Sequence, residues 1–231
     1  MSKINKKKSK TNEGKKNITS KWIAGIVIGL FLIGMVVLVL RQQKNTSDST
    51  ISDTSTVSLD KSLGNENAPV VVVEYGDYQC PACGRFASTE KPKLVEEFVK
   101  TGKVRFVFRS FQFIGEESFW AAEAAECANE QGKYWEYYEK LYSSQEGENI
   151  GTFGKVNLEK FANELGLQTK QFNECLASGK FSDKVKAETL EAQNLGLRGT
   201  PSLIVNGELV DEGNQYEILR EKILELLSSM D

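Results

Sequence analysis

The chain has 231 residues, a formal net charge of −3, four cysteines and no histidine. That length exceeds what one small domain needs, so segments outside a folded core are expected. Once the lysine-rich start is set apart the remainder is distinctly acidic, which argues against nucleic acid as a partner.

Residues 1–21 are dominated by lysine and hold almost no apolar side chains, the composition of a solvated basic tail. Residues 22–40, WIAGIVIGLFLIGMVVLVL, form an unbroken uncharged run close to the roughly 20 residues a helix needs to cross a bilayer. A cleaved signal peptide is the alternative. Its apolar region is usually about 7–15 residues long and ends in small residues at the cleavage site. Here the run is longer, stops at Arg41 without an A-x-A pattern, and no cysteine follows it as lipoprotein processing would require. An uncleaved single-pass anchor is therefore expected. The excess of lysine before it leaves the N-terminus in the cytoplasm and the rest of the chain extracytoplasmic, where stable disulfides are permitted. Residues 41–66, rich in Ser, Thr, Asp and Asn, are expected to be a flexible linker.

Residues 67–231 alternate short β-branched or aromatic runs with longer helical stretches, pointing to an α/β domain. The run 69–78 reads as a buried strand, and a helix starts at Cys80-Pro81, where proline suits the first turn. That helix should reach about Lys100 with a disturbance near Pro92. Residues 103–111 form a second strand. Strand signals then vanish, and about 114–196 carry apolar residues at helical spacing with Gly at several boundaries, a helical insertion. Strands return at 201–210, where Asn206-Gly207 marks a two-residue hairpin turn. A last amphipathic helix covers 216–227. Trp120, Tyr134, Trp135 and Tyr138 lie at helical spacing and are assigned to the core without a function.

Cys80-Pro81-Ala82-Cys83 carries the chemistry. A thiol at a helix N-terminus faces free backbone N–H groups and the positive end of the helix dipole, which favour thiolate. Cys83, one turn later, would be more buried and resolve the reaction. Zinc usually needs four Cys or His ligands, and the other cysteines, Cys127 and Cys175, are isolated. A purely structural Cys80–Cys83 bridge would close too short a loop to constrain the chain much. Glu74 is either a surface residue of its strand or a buried carboxyl with raised pKa that moves a proton for the cysteine pair. Pro201 opens a strand, where a cis bond is one option against a trans base rate.

With Cys80-Pro81-Ala82-Cys83 after a strand, a helical insertion, and Gly199-Thr200-Pro201 before a hairpin, the chain from about residue 60 onward resembles the DsbA-type thiol-disulfide oxidoreductases, in their membrane-tethered Gram-positive branch. The resemblance implies a thioredoxin fold with an inserted α-helical domain, preceded by a single N-terminal transmembrane helix. It implies Cys80 as nucleophile, Cys83 as its partner, Glu74 as the buried acid, and cis-Pro201 with Thr200 lining the substrate groove beside Pro81 and Ala82. It also implies a structural disulfide between Cys127 and Cys175, two free thiols being the alternative. The expected activity is disulfide donation to reduced or unfolded exported proteins, with no organic cofactor or metal. Reoxidation falls to a quinone-linked membrane partner of the DsbB type. Isomerases of the superfamily add a dimerisation region, for which there is no room here beyond the linker, so a monomer is expected. A reductase or isomerase direction, or a peptide-binding module without turnover, are the competing readings. One departure matters: the best-known members carry histidine where Ala82 stands, so a less depressed Cys80 pKa and a weaker oxidant are expected.

Overall fold

The computed structural model describes residues 61–230. The basic tail, the apolar run at 22–40 and most of the linker lie outside the described residues. Among the described residues no helix is long and apolar enough to cross a membrane.

Five strands form one mixed sheet: β1 Ser62–Leu63, β2 Val70–Gly76, β3 Val104–Ser110, β4 Ser202–Val205 and β5 Glu208–Val210, in the order β1-β3-β2-β4-β5. The central pair β2 and β3 is parallel, with Val70 opposite Val104 and Gly76 opposite Ser110. β4 runs antiparallel to β2, placing Leu203 opposite Glu74. The β4–β5 hairpin turns at Asn206 and Gly207, both at positive φ (47° and 87°), as a tight two-residue turn requires.

Between β2 and β3 a single helical rod, α1, spans residues 81–99. Its hydrogen bonding is α-helical in Pro81–Arg85 and Lys91–Leu94 and widens to π-type spacing in Phe86–Glu90 and Val95–Val99. Pro92 accounts for the first widening, since it has no N–H to donate and its ring crowds the preceding turn. Five helices separate β3 from β4: α2 Glu116–Asn129, α3 Tyr134–Ser143, α4 Lys155–Glu164, α5 Thr169–Ser178 and α6 Ser182–Asn194. The C-terminal α7, Tyr216–Ser228, follows β5.

Both faces of β2 are covered. Val70 and Val72 pack with Phe86, Phe98, Leu219 and Ile223 of α1 and α7. Val73 and Tyr75, pointing the other way, pack with Ala192 and Leu197 at the end of α6. A third core fills the helical insertion and meets the rest of the domain at Tyr78 of the redox turn, Cys83 of α1 and Phe108 of β3.

The linker assignment of 41–66 runs too far. Ser62–Leu63 pairs with β3, and Lys61 is 1% exposed, 2.8 Å from Glu126 and 2.6 Å from Glu188. A buried ammonium with two carboxylate partners anchors the chain where composition alone read a tether.

Candidate active site

β2 ends at Gly76 and the chain turns at once into α1, so Cys80 falls at the helix N-cap with Pro81 in the first turn. Asp77 builds the turn. Its buried carboxylate accepts hydrogen bonds from Gln79 N (2.8 Å), Phe113 N (2.9 Å), Ile114 N (3.2 Å) and the Ser118 hydroxyl (2.6 Å), and its carbonyl accepts from Cys80 N at 3.1 Å. The redox motif thus stands on a turn tied to both the sheet and α2.

Cys80 and Cys83 are not bonded to one another; Cys80 is part-exposed and Cys83 buried. The Cys83 thiol donates to Cys80 Sγ, and the backbone N–H groups of Ala82 and Cys83 add to it, bringing Cys80 down from 9.0 to about 6 against the opposing effect of burial. Thr200, whose carbonyl oxygen lies 3.3 Å from Cys80 Sγ, adds to the lowering through its side chain. Burial, that same donated hydrogen bond and the nearby Glu74 push Cys83 well above its usual value. One thiolate at neutral pH, on the accessible sulfur, is the result.

Glu74 is fully buried, which removes the surface reading. Burial raises its carboxyl to about 8, opposed by the positive charge of Lys91 and by the 3.1 Å hydrogen bond that the Tyr138 hydroxyl donates to Oε2. Its Oε1 has no hydrogen-bond partner among the described residues. Lys91 is 4% exposed; its ammonium lies 4.1 Å from the Tyr138 ring centroid and 3.8 Å from Glu139 of α3. Desolvation depresses its pKa. Glu74, Lys91 and Tyr138 form a buried proton-holding group behind the cysteines.

Tyr138 and Lys91 escaped sequence reasoning, which left Tyr138 as anonymous core. A signal existed in the residue type: Tyr134, Tyr138 and Tyr142 recur every four residues on α3, and buried tyrosines need partners for their hydroxyls. They find Tyr78 Oη (2.9 Å), Glu74 and Asp77 O (3.4 Å).

The other candidates gather around Cys80 without sharing one pocket. Thr200-Pro201 is cis and lines a depression of about 450 Å³ with the β4–β5 edge. Ala82 lines a second, of about 490 Å³, against Tyr216. Pro81 lines a third, of about 890 Å³, running along α1 and α3. Cys127 of α2 and Cys175 of α5 form a disulfide inside the insertion, with Cα atoms 5.9 Å apart. Among the described residues no group of three or more Cys, Asp or Glu is placed to hold a metal.

A family model described as thioredoxin matches residues 56–225. The chain is 34% identical over 186 residues to the probable disulfide bond formation protein D of Bacillus anthracis, covering 79% of this chain and 84% of that protein. It is 32% identical over 168 residues to disulfide bond formation protein D of Bacillus subtilis, covering 70% of this chain and 74% of that one. The solved structure of oxidised BdbD from Bacillus subtilis superposes with a TM-score of 0.70 at 29% identity, over 75% of this chain and 95% of that one.

Proposed function

This chain belongs to the thioredoxin-fold family of the disulfide bond formation proteins D, and from that premise we propose that it donates disulfide bonds to exported proteins through Cys80 and Cys83. The observation that carries the reading is the asymmetry of the two thiols, one lowered to about 6 and part-exposed, the other buried and raised.

In the oxidised protein a substrate thiolate attacks Cys80 Sγ. The Cys80–Cys83 bond breaks and a mixed disulfide forms. Cys83 departs as a thiolate in a buried site and takes a proton, for which Glu74, protonated up to about pH 8, is the source. A second substrate thiolate then attacks the substrate sulfur of the mixed disulfide. Cys80 leaves as a stabilised thiolate, and a low-pKa thiol is a fast leaving group. The substrate has gained a disulfide, and two electrons now rest on Cys80 and Cys83. Thr200 and Pro201 present the neighbouring backbone to the substrate chain, with Pro81 and Ala82 forming the other lip.

Turnover needs an electron acceptor, and a quinone-linked DsbB-type membrane protein suits a domain held at the membrane by the 22–40 run. The lysine-rich start and that apolar run support an anchor with the catalytic domain outside the cell. The test is Cys80→Ser, which should reduce the oxidative refolding of a reduced, secreted substrate to the uncatalysed rate. Full activity in that variant would refute the assignment and leave a binding module.

A further inference from the structure

Gln145 lies just past the C-terminal end of α3, and its side-chain amide nitrogen donates two hydrogen bonds to the redox turn, 2.7 Å to Tyr78 O and 3.1 Å to Cys80 O. The second acceptor is the carbonyl of the reacting cysteine itself. That same carbonyl receives Gly84 N at 3.0 Å, the first helical bond of α1. Its direction therefore sets the direction of the turn whose Ala82 and Cys83 N–H groups face Cys80 Sγ. Carbonyl oxygens carry partial negative charge, and a donor placed on them lessens their opposition to a nearby thiolate.

Gly84 supports the same point independently. It is not among the residues at positive φ, so its backbone does not call for glycine, and glycine inside a helix is less favourable than alanine. A Cβ at this position would lie 2.2 Å from Gln145 Oε1. The missing side chain makes room for the Gln145 amide.

We propose that Gln145 is a positioning residue for thiol-disulfide exchange, an amide clamp on the Tyr78 and Cys80 carbonyls that fixes the first turn of α1 against the reacting sulfur, with Gly84 as its seat. The inference rests on the thiol-disulfide reading above. The helical insertion thereby acts on the redox motif from outside the thioredoxin core. Removing the clamp weakens the thiolate, and a weaker thiolate makes the disulfide a poorer oxidant.

The test compares the full chain with Gln145→Ala, Gln145→Glu and Gly84→Ala in glutathione buffers, by trapping free thiols, and titrates the thiolate absorbance near 240 nm. For Gln145→Ala the exchange constant with glutathione should move about two- to tenfold toward the oxidised protein, the range spanned by one neutral hydrogen bond, and the thiolate midpoint should rise. Gln145→Glu, which points an anion at the same carbonyls, should shift both further. Gly84→Ala should shift both in the same direction while leaving thermal stability equal or higher, so potential and stability part company. A merely structural glutamine would give variants whose stability falls while midpoint and exchange constant stay within twofold of the parent, and that result overturns the proposal. A parent protein that fails to exchange with glutathione at all would instead bring down the reading on which it rests.

Discussion

Cys80 and Glu74 titrate in opposite senses, and the signs make separate predictions. In the reduced protein the Cys80 pKa is depressed to about 6 from 9.0. Folding then favours the thiolate, and this contribution is fully present above pH 9 and lost as pH falls through 6. Reduced protein should therefore gain stability relative to oxidised protein as pH rises from 6 to 9, a trend that paired urea melts at several pH values would show; Cys80→Ser, which has no thiol to ionise there and forms no disulfide with Cys83, should lack this rise in its one form. A thiolate midpoint near 3.5, or one left near 9, would contradict the donor set around Cys80. Glu74 has its pKa raised from 4.5 to about 8. The folded state holds its proton longer than the unfolded chain does, so stability is full below 4.5 and declines as pH climbs through 8. Glu74→Gln, which still accepts from the Tyr138 hydroxyl through its amide oxygen, should remove that decline in the oxidised protein and slow the release of Cys83 during exchange. A pH–stability curve unchanged by Glu74→Gln would mean that the carboxyl titrates normally despite its burial.

The elements differ in how openly the sequence announces them, for physical reasons. β2, β3 and the hairpin are runs of β-branched and aromatic residues closed by turn chemistry, and their β-propensity agrees with their place in the sheet. α1 begins where Pro81 allows it to. The facing of Glu74 was not legible, because β2 is covered on both sides and a doubly buried strand shows no alternation. β1 escaped for another reason: two residues in a polar stretch carry no pattern. It is held by long-range bonds, from Trp135 Nε1 to Ser62 O (3.2 Å) and from Phe108 N to Lys61 O (3.1 Å). The cysteine motif was legible as chemistry, whereas the tyrosine ladder that supports it depends on α3 lying across the turn. At this scale the Cys127–Cys175 bridge ties α2 to α5 across a separation of 48 residues. The double variant Cys127→Ala/Cys175→Ala should unfold at lower denaturant, with a loss of about 2–4 kcal/mol, while its Cys80–Cys83 exchange constant stays at the parent value. A shifted constant would mean that the insertion transmits strain to the redox turn through the bridge.

Across the whole molecule, a buried ion network joins the start of the domain to its sheet and insertion. Lys61 meets Glu126 of α2 and Glu188 of α6, Arg109 of β3 reaches Glu188 at 3.0 Å, and Lys184 reaches Glu126 at 2.9 Å. Burial works to raise the Glu188 carboxyl, but Lys61, Ser110 N and Arg109 overcome it and leave the pKa below its usual value. Lys61→Ala uncovers two buried carboxylates at once and should cost about 3–5 kcal/mol, with acid unfolding moved to higher pH. Stability of Lys61→Ala equal to the parent would show that the buried Lys61 ammonium contributes nothing to the fold. The direction of electron flow is likewise a property of the whole molecule, because it sums every preference for the reduced or oxidised state. The most direct measurement is the reduction potential of the purified chain, equilibrated in glutathione buffers and read by thiol trapping. A disulfide donor should stand well above the value of about −270 mV that marks thioredoxin, yet below the extreme of about −120 mV, since Ala82 supplies no charge to the Cys80 thiolate. A potential at or below about −270 mV would mean that Cys80 and Cys83 hold their disulfide too firmly to give it away, and the protein would have to be a reductase.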